Sequence, residues 1–158
     1  MMDNPMLVAV RTLLKETYDG PEENASWYTE AKPGSGLFGT LEKLSAEEAS
    51  IPVNGTTIAA QTDHTRYYLW VVNSYLNGEE TSKDWEASWK ITSVDKITWA
   101  KINEELQQAY TTLLKKIDSL DSLEEQTSNS LLGAIAHSAY HLGSIRQMIK
   151  AIKNPKQS

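Results

Sequence analysis

The chain has 158 residues, 40% hydrophobic and 23% charged, with a formal net charge of −6 and no cysteine. Its length suits one domain with one core, and its acidity argues against a nucleic-acid surface, which needs clustered Lys and Arg to displace counterions. The missing cysteines exclude disulfides, Cys-ligated zinc and a thiol nucleophile of the protein's own, so any thiol must arrive with a substrate.

Helical periodicity begins at residues 4–18. Asn4 followed by Pro5 suits an N-cap and first helical position, and Asp19-Gly20-Pro21 is a stop. The apolar run has no basic stretch before it and carries Arg11 and Lys15. It therefore reads as a helix of the fold, neither a signal peptide nor a membrane span, and the cytoplasm is the expected compartment. Residues 22–31 are a candidate for a short helical piece. KPGSG at 32–36 is a loop, LFGTLEKL reads as one short helix, and Ser45 and Glu48 have capping-box spacing ahead of the Ile51-Pro52 stop.

A second long helix is expected over residues 56–76, with Asn77-Gly78 ending it. A step of 100° per residue places Ile58, His64, Tyr68, Val71, Val72, Tyr75 and Leu76 on one broad face. Residues 77–94 form a long connection in which Trp85 and Trp89 are spaced i,i+4. Connections of this length are more often packed lids than loose chain, and the two Trp are expected to cap the helices rather than bind a ligand. A third long helix covers 95–117, with Ile97, Ala100, Ile102, Leu106, Ala109, Leu113 and Ile117 as its apolar stripe. A fourth covers 128–152, with Leu131, Ile135, Leu142, Ile145, Ile149 and Ile152 facing the core. No alternating strand and no repeat is visible. The expectation is an all-α single domain over residues 1–158: a four-helix bundle with a short extra helix and a long loop between its first two long helices.

The three histidines are His64, His137 and His141. In HSAYHLGS the i,i+4 spacing puts His137 and His141 on adjacent turns of one helix face, where both can reach one cation at about 2.0–2.1 Å. If the long helices alternate direction, the second and fourth run parallel, and His64 then lies at a depth matching the pair. Three imidazoles would leave one coordination position open, as catalytic metal sites do. The competing reading is three core histidines, and HxxxH alone does not decide between them.

Tyr68 and Ser144 are candidate pocket residues. Tyr68 lies near the His64 face, and Ser144 is i+3 from His141. Glu42, Glu47 and Glu48 are candidates for a general base, with solvated surface acids as the competing reading. Asp63 lies about 100° from His64 and is not counted as a ligand. Arg146 points away from the histidine pair and reads as a surface or interface charge.

The stretch LLGAIAHSAYHLGSIRQMIK resembles the last helix of the DinB/YfiT-like metalloenzyme family, in which a segment of the type HxxYHxGQI supplies two histidines. LFGTLEKLSAEEASIPVNGTTIAAQTDHTRYYLWVVNSYLNGE resembles that family's short helix, Pro-containing loop and second helix with its single His. The resemblance implies a four-helix bundle of variant up-and-down topology, with His64, His137 and His141 as ligands of a divalent ion such as zinc or nickel. It also implies a homodimer, and an activity, where one is known, of S-transferase or isomerase type that uses a low-molecular-weight thiol. Neither a nucleic acid nor a membrane is expected as partner. Ser144 stands where the family has Gln, so contacts made from that position are expected to differ. Beside the thiol transferase stand two alternatives, a metal-dependent hydrolase and a non-catalytic, stress-related dimeric bundle.

Overall fold

A computed structural model describes residues 4–22 and 25–156. Its regular structure is helical: α1 (Pro5–Tyr18), α2 (Leu37–Leu41), α3 (Ala46–Ala49), α4 (Ile58–Leu76), a 3-10 turn (Ala87–Trp89), α5 (Lys96–Asp118) and α6 (Glu125–Lys153). The only pairing of extended chain among the described residues is an isolated bridge between Val53 and Thr56. No helix of the described residues is long and apolar enough to cross a membrane.

The helix starts follow local chemistry. Asn4 accepts the Met6 N–H at 3.0 Å with Pro5 in the first turn. Ser45 and Glu48 close a reciprocal capping box, Thr57 accepts from Ala60, and Asp95 accepts from Thr98 at 2.7 Å. Each such cap is worth about 1 kcal/mol. The fourth long helix departs from expectation, because it begins at Glu125 rather than near residue 128, with no side-chain cap.

No helix forms among the described residues of 22–31; Glu23 and Asn24 lie outside the described residues. The reason is Glu16. Its buried carboxylate accepts the backbone N–H groups of Trp27, Tyr28 and Thr29 and the hydroxyls of Ser26 and Thr29, which holds the segment as a series of bends around one anion. The KPGSG loop then presses against the end of α1. A Cβ on Gly36 would come within 2.4 Å of the Gly20 nitrogen and 2.7 Å of the Tyr18 carbonyl oxygen, so only glycine fits.

Leu14, Leu69, Leu106, Leu113, Leu131 and Ile145 make the centre of the core. The α5 stripe differs from expectation at two positions. Ile97 is 81% exposed and Ala100 is exposed, whereas Trp99 and Tyr110 are buried. Measured from Leu106 at 100° per residue, Trp99 and Tyr110 fall within about 40°, while Ile97 falls about 180° away. Trp99 also donates its indole N–H to the Leu44 carbonyl at 3.1 Å.

Cross-helix contacts fix the helix directions. Arg11 pairs with Asp118 while Tyr18 stacks on Tyr110, so α1 and α5 run in opposite directions. Arg66 meets Glu105 and Asn73 meets Ala109, so α4 and α5 run the same way. Gln61 meets His141, and Tyr68 stacks on His137, so α4 and α6 are antiparallel. This corrects the expectation that these two helices are parallel. It also accounts for the length of the 77–94 connection. Two consecutive parallel helices force the chain to travel back along α4, whose 19 residues span about 28 Å. The connection does so in contact with α4 and the segment before it: Asp84 meets Tyr67, Ser88 meets His64, and Val94 meets Ser50.

Candidate metal centre

The returning connection and the antiparallel α4–α6 pair bring three imidazoles to one point. His64 Nε2 lies 3.1 Å from His137 Nε2, which lies 3.1 Å from His141 Nε2. His64 and His141 are buried and His137 is half-buried. The triad is the one group of three or more His, Asp or Glu side chains among the described residues whose ligand atoms all lie within 4.8 Å of one another. A tetrahedral ion bound at about 2.0–2.1 Å needs nitrogen separations of roughly 3.3 Å, so the spacing fits.

The partners of the outer ring nitrogens determine what the inner ones present. Ser88 Oγ donates to the Trp85 carbonyl at 2.6 Å, so it is an acceptor for His64 Nδ1 at 2.8 Å, and His64 carries its proton on Nδ1. The carbonyl oxygen Oε1 of Gln61 faces His141 Nδ1, which likewise holds the proton there. Both rings therefore turn an Nε2 lone pair toward His137. Among the described residues, His137 Nδ1 is buried with no hydrogen-bond partner. A proton on His137 Nε2 can satisfy one of the two facing lone pairs and leaves the other opposed; a proton on its Nδ1 leaves three lone pairs converging. A cation placed between the rings could take up all three.

Electrostatics keep the rings neutral. Burial pushes His137 down to about 3, reinforced by repulsion from His141 and then His64. Burial followed by His64 pushes His141 down to about 4. His64 is also lowered by burial, against the opposing charge of Asp63. Neutral imidazole is the form a metal takes.

Aromatic rings lie against the triad. Trp89 stacks on His64 with centroids 4.0 Å apart. Tyr68 stacks on His137 at 3.9 Å, and Tyr140 meets His141 edge-on at 5.1 Å. Trp85 lies 6.3 Å from His64 and 5.9 Å from Tyr68. Gly133, one turn before His137, makes room for Tyr68: a Cβ there would sit 3.1 Å from the Tyr68 hydroxyl. Trp85 and Trp89 thus wall the histidine cluster instead of merely capping helix ends.

The other sequence candidates separate clearly. Tyr68 is in the wall. Ser144 is half-buried with no side-chain hydrogen bond among the described residues. Asp63 is buried and ion-paired to Arg66 at 2.7 Å, outside the histidine cluster. Glu48 is engaged in the Ser45 capping box, Glu42 and Glu47 are exposed, and none of the three belongs to the cluster. Arg146 pairs with Glu30 away from the histidines.

Sequence reasoning missed Gln61 and Ser88. Gln61 carried a signal, since it lies one turn before His64 on nearly the same face, while a lone Ser between two Trp in a loop carried none.

Comparison with protein-family profiles, curated proteins and solved structures finds no match.

Proposed function

We infer that the chain is a divalent-metal protein of the DinB/YfiT-like kind, with His64, His137 and His141 as its ligands and zinc or nickel as its ion. The helix directions support the assignment: α1, α4, α5 and α6 run up, down, down and up, a four-helix bundle of variant up-and-down topology. The observation that carries the metal reading is the orientation of His64 and His141, both held by Ser88 and Gln61 with their Nε2 lone pairs turned inward on a third imidazole. A core built for packing alone has no use for lone pairs opposed at 3.1 Å.

Three nitrogen ligands leave a position for a small substrate, and the proposed activity is an S-transferase reaction with a low-molecular-weight thiol. When bound, the ion supplies the Lewis acidity that lowers the pKa of a thiol placed against it. The chain's own residues do the rest. Ser88 and Gln61 fix ring orientation, Trp85 and Trp89 shield the histidines from water, and Tyr68 holds the His137 ring in place. Hydrolysis is the weaker reading, because among the described residues no carboxylate joins the histidine cluster to serve as general base. Assembly as a homodimer belongs to the same proposal.

Cobalt substitution tests it. A change in the cobalt absorption spectrum on adding a small thiol, together with thiol-dependent turnover of a model electrophile, is the expected result. A spectrum indifferent to thiol removes the transferase reading.

A further inference from the structure

Across α6 from the histidines lies a cleft of about 220 Å³ lined by Lys32, Lys43, Arg146, Lys150 and Lys153. From His141, Lys150 is about 180° round the helix, so this is a separate site. Five cationic residues line this cleft in a chain of net charge −6 with 15 Lys and Arg, and among the described residues no acidic residue lines it, although Glu30 ion-pairs with two of the five.

The cations come from three places in the chain: the loop after residue 31, the turn after α2, and the last turns of α6. Lys150 and Lys153 at the C-terminal turn of α6 complement the helix dipole, which accounts for those two alone. The dipole does not account for Lys32, Lys43 and Arg146; a shared ion pair accounts for Lys32 and Arg146, and Lys43 has neither reason to be there. Glu30 pairs with both Lys32 and Arg146, one carboxylate shared between two cations. Lys43, Lys150 and Lys153 have no ion-pair partner among the described residues. The apolar side of the cleft is Pro33, Leu44 and Ile149.

We propose that this cleft is a binding site for a phosphate-bearing small molecule. A phosphoryl group offers several acceptor oxygens and close to two negative charges, which suits an Arg flanked by several Lys. The apolar wall receives an organic substituent on that phosphate. Glu30 acts as an internal competitor, since it draws Arg146 and Lys32 toward itself.

The test is a calorimetric titration of the full chain with inorganic phosphate and, separately, with phenyl phosphate. Saturable binding of either is expected. Preference for phenyl phosphate by roughly fivefold assigns the ligand as a phosphate ester, while equal affinities assign free phosphate. Glu30→Gln is expected to tighten binding several-fold by releasing Arg146 and Lys32, and Lys43→Ala/Lys150→Ala to weaken it by about tenfold or more, with metal content unchanged in both. The gain in Glu30→Gln keeps the test valid even if the double variant folds poorly. Absence of saturable binding in the unaltered chain, or equal affinity in all three proteins, overturns the proposal.

Discussion

Ser88 and His64 lie 24 positions apart in sequence, yet Ser88 Oγ sits 2.8 Å from His64 Nδ1 and donates its own proton to the Trp85 carbonyl. A loop residue thereby decides which ring nitrogen of a helix residue faces the histidine cluster. Ser88→Ala is expected to lower metal affinity about 10- to 100-fold, measured by competition with a chromogenic chelator. Ser88→Thr, which keeps the hydroxyl, is expected to retain most of it. Equal loss in both variants would show that the loop matters only as packing.

Gln61 plays the same part for His141 from within α4. Gln61→Leu removes the acceptor and leaves the Nδ1 proton buried without a partner, so metal affinity and apo stability are both expected to fall, the latter by about 1–3 kcal/mol. Gln61→Glu supplies a stronger acceptor and is expected to hold or tighten the metal, read by the same chelator competition.

Two acid windows follow from the buried groups. Burial by itself raises the pKa of Glu16, but the N–H groups of Thr29, Tyr28 and Trp27 overcome it and bring the carboxyl to about 2, below its ordinary 4.5. The unfolded chain therefore takes up this proton first. The stability it contributes is complete above pH 4.5 and is lost as pH falls toward 2. The metal-free triad acts in a higher window. His137 at about 3 and His141 at about 4 stay neutral, while the unfolded histidines protonate near 6.5. Apo stability is accordingly greatest above pH 6.5 and declines below it. Urea midpoints across pH check both: Glu16→Gln is expected to flatten the lower window and leave the upper one in place.

The register of α5 is testable by contrast. Leu106 is fully buried and Ile97 is 81% exposed. Leu106→Ala is expected to cost about 2–5 kcal/mol, and Ile97→Ala to change stability by less than about 0.5 kcal/mol, both read from chemical denaturation.

Much of this was legible in the sequence because it is local. Asn4-Pro5, the Ser45–Glu48 box and Asp95 announce helix starts through side chains within three residues, and the i,i+4 spacing of His137 and His141 is a property of one helix. What depends on distant contacts was harder to read. Alternating helix directions would make α4 and α6 parallel, and the parallel α4–α5 pair breaks that alternation; the eighteen-residue 77–94 connection is the available clue, since antiparallel neighbours do not need one so long. The histidines meet across an antiparallel pair rather than at equal depths of a parallel one. Hydrophobicity alone puts Ile97 and Ala100 in the apolar stripe of α5, where the helical angle from Leu106 places them outside. Glu16, an acid in the last turn of an amphipathic helix, gives no sign that it organises the loop at 26–29, because the N–H groups it gathers carry no side-chain signature.

The central claim is that three imidazoles hold one metal ion. Elemental analysis of the purified native chain beside His64→Ala, with circular dichroism to confirm that both are helical, tests it most directly. The account predicts one divalent ion per native chain and near-complete loss in His64→Ala with helicity intact. Equal metal content in the two proteins, or none in the native chain after incubation with zinc and nickel, would contradict it.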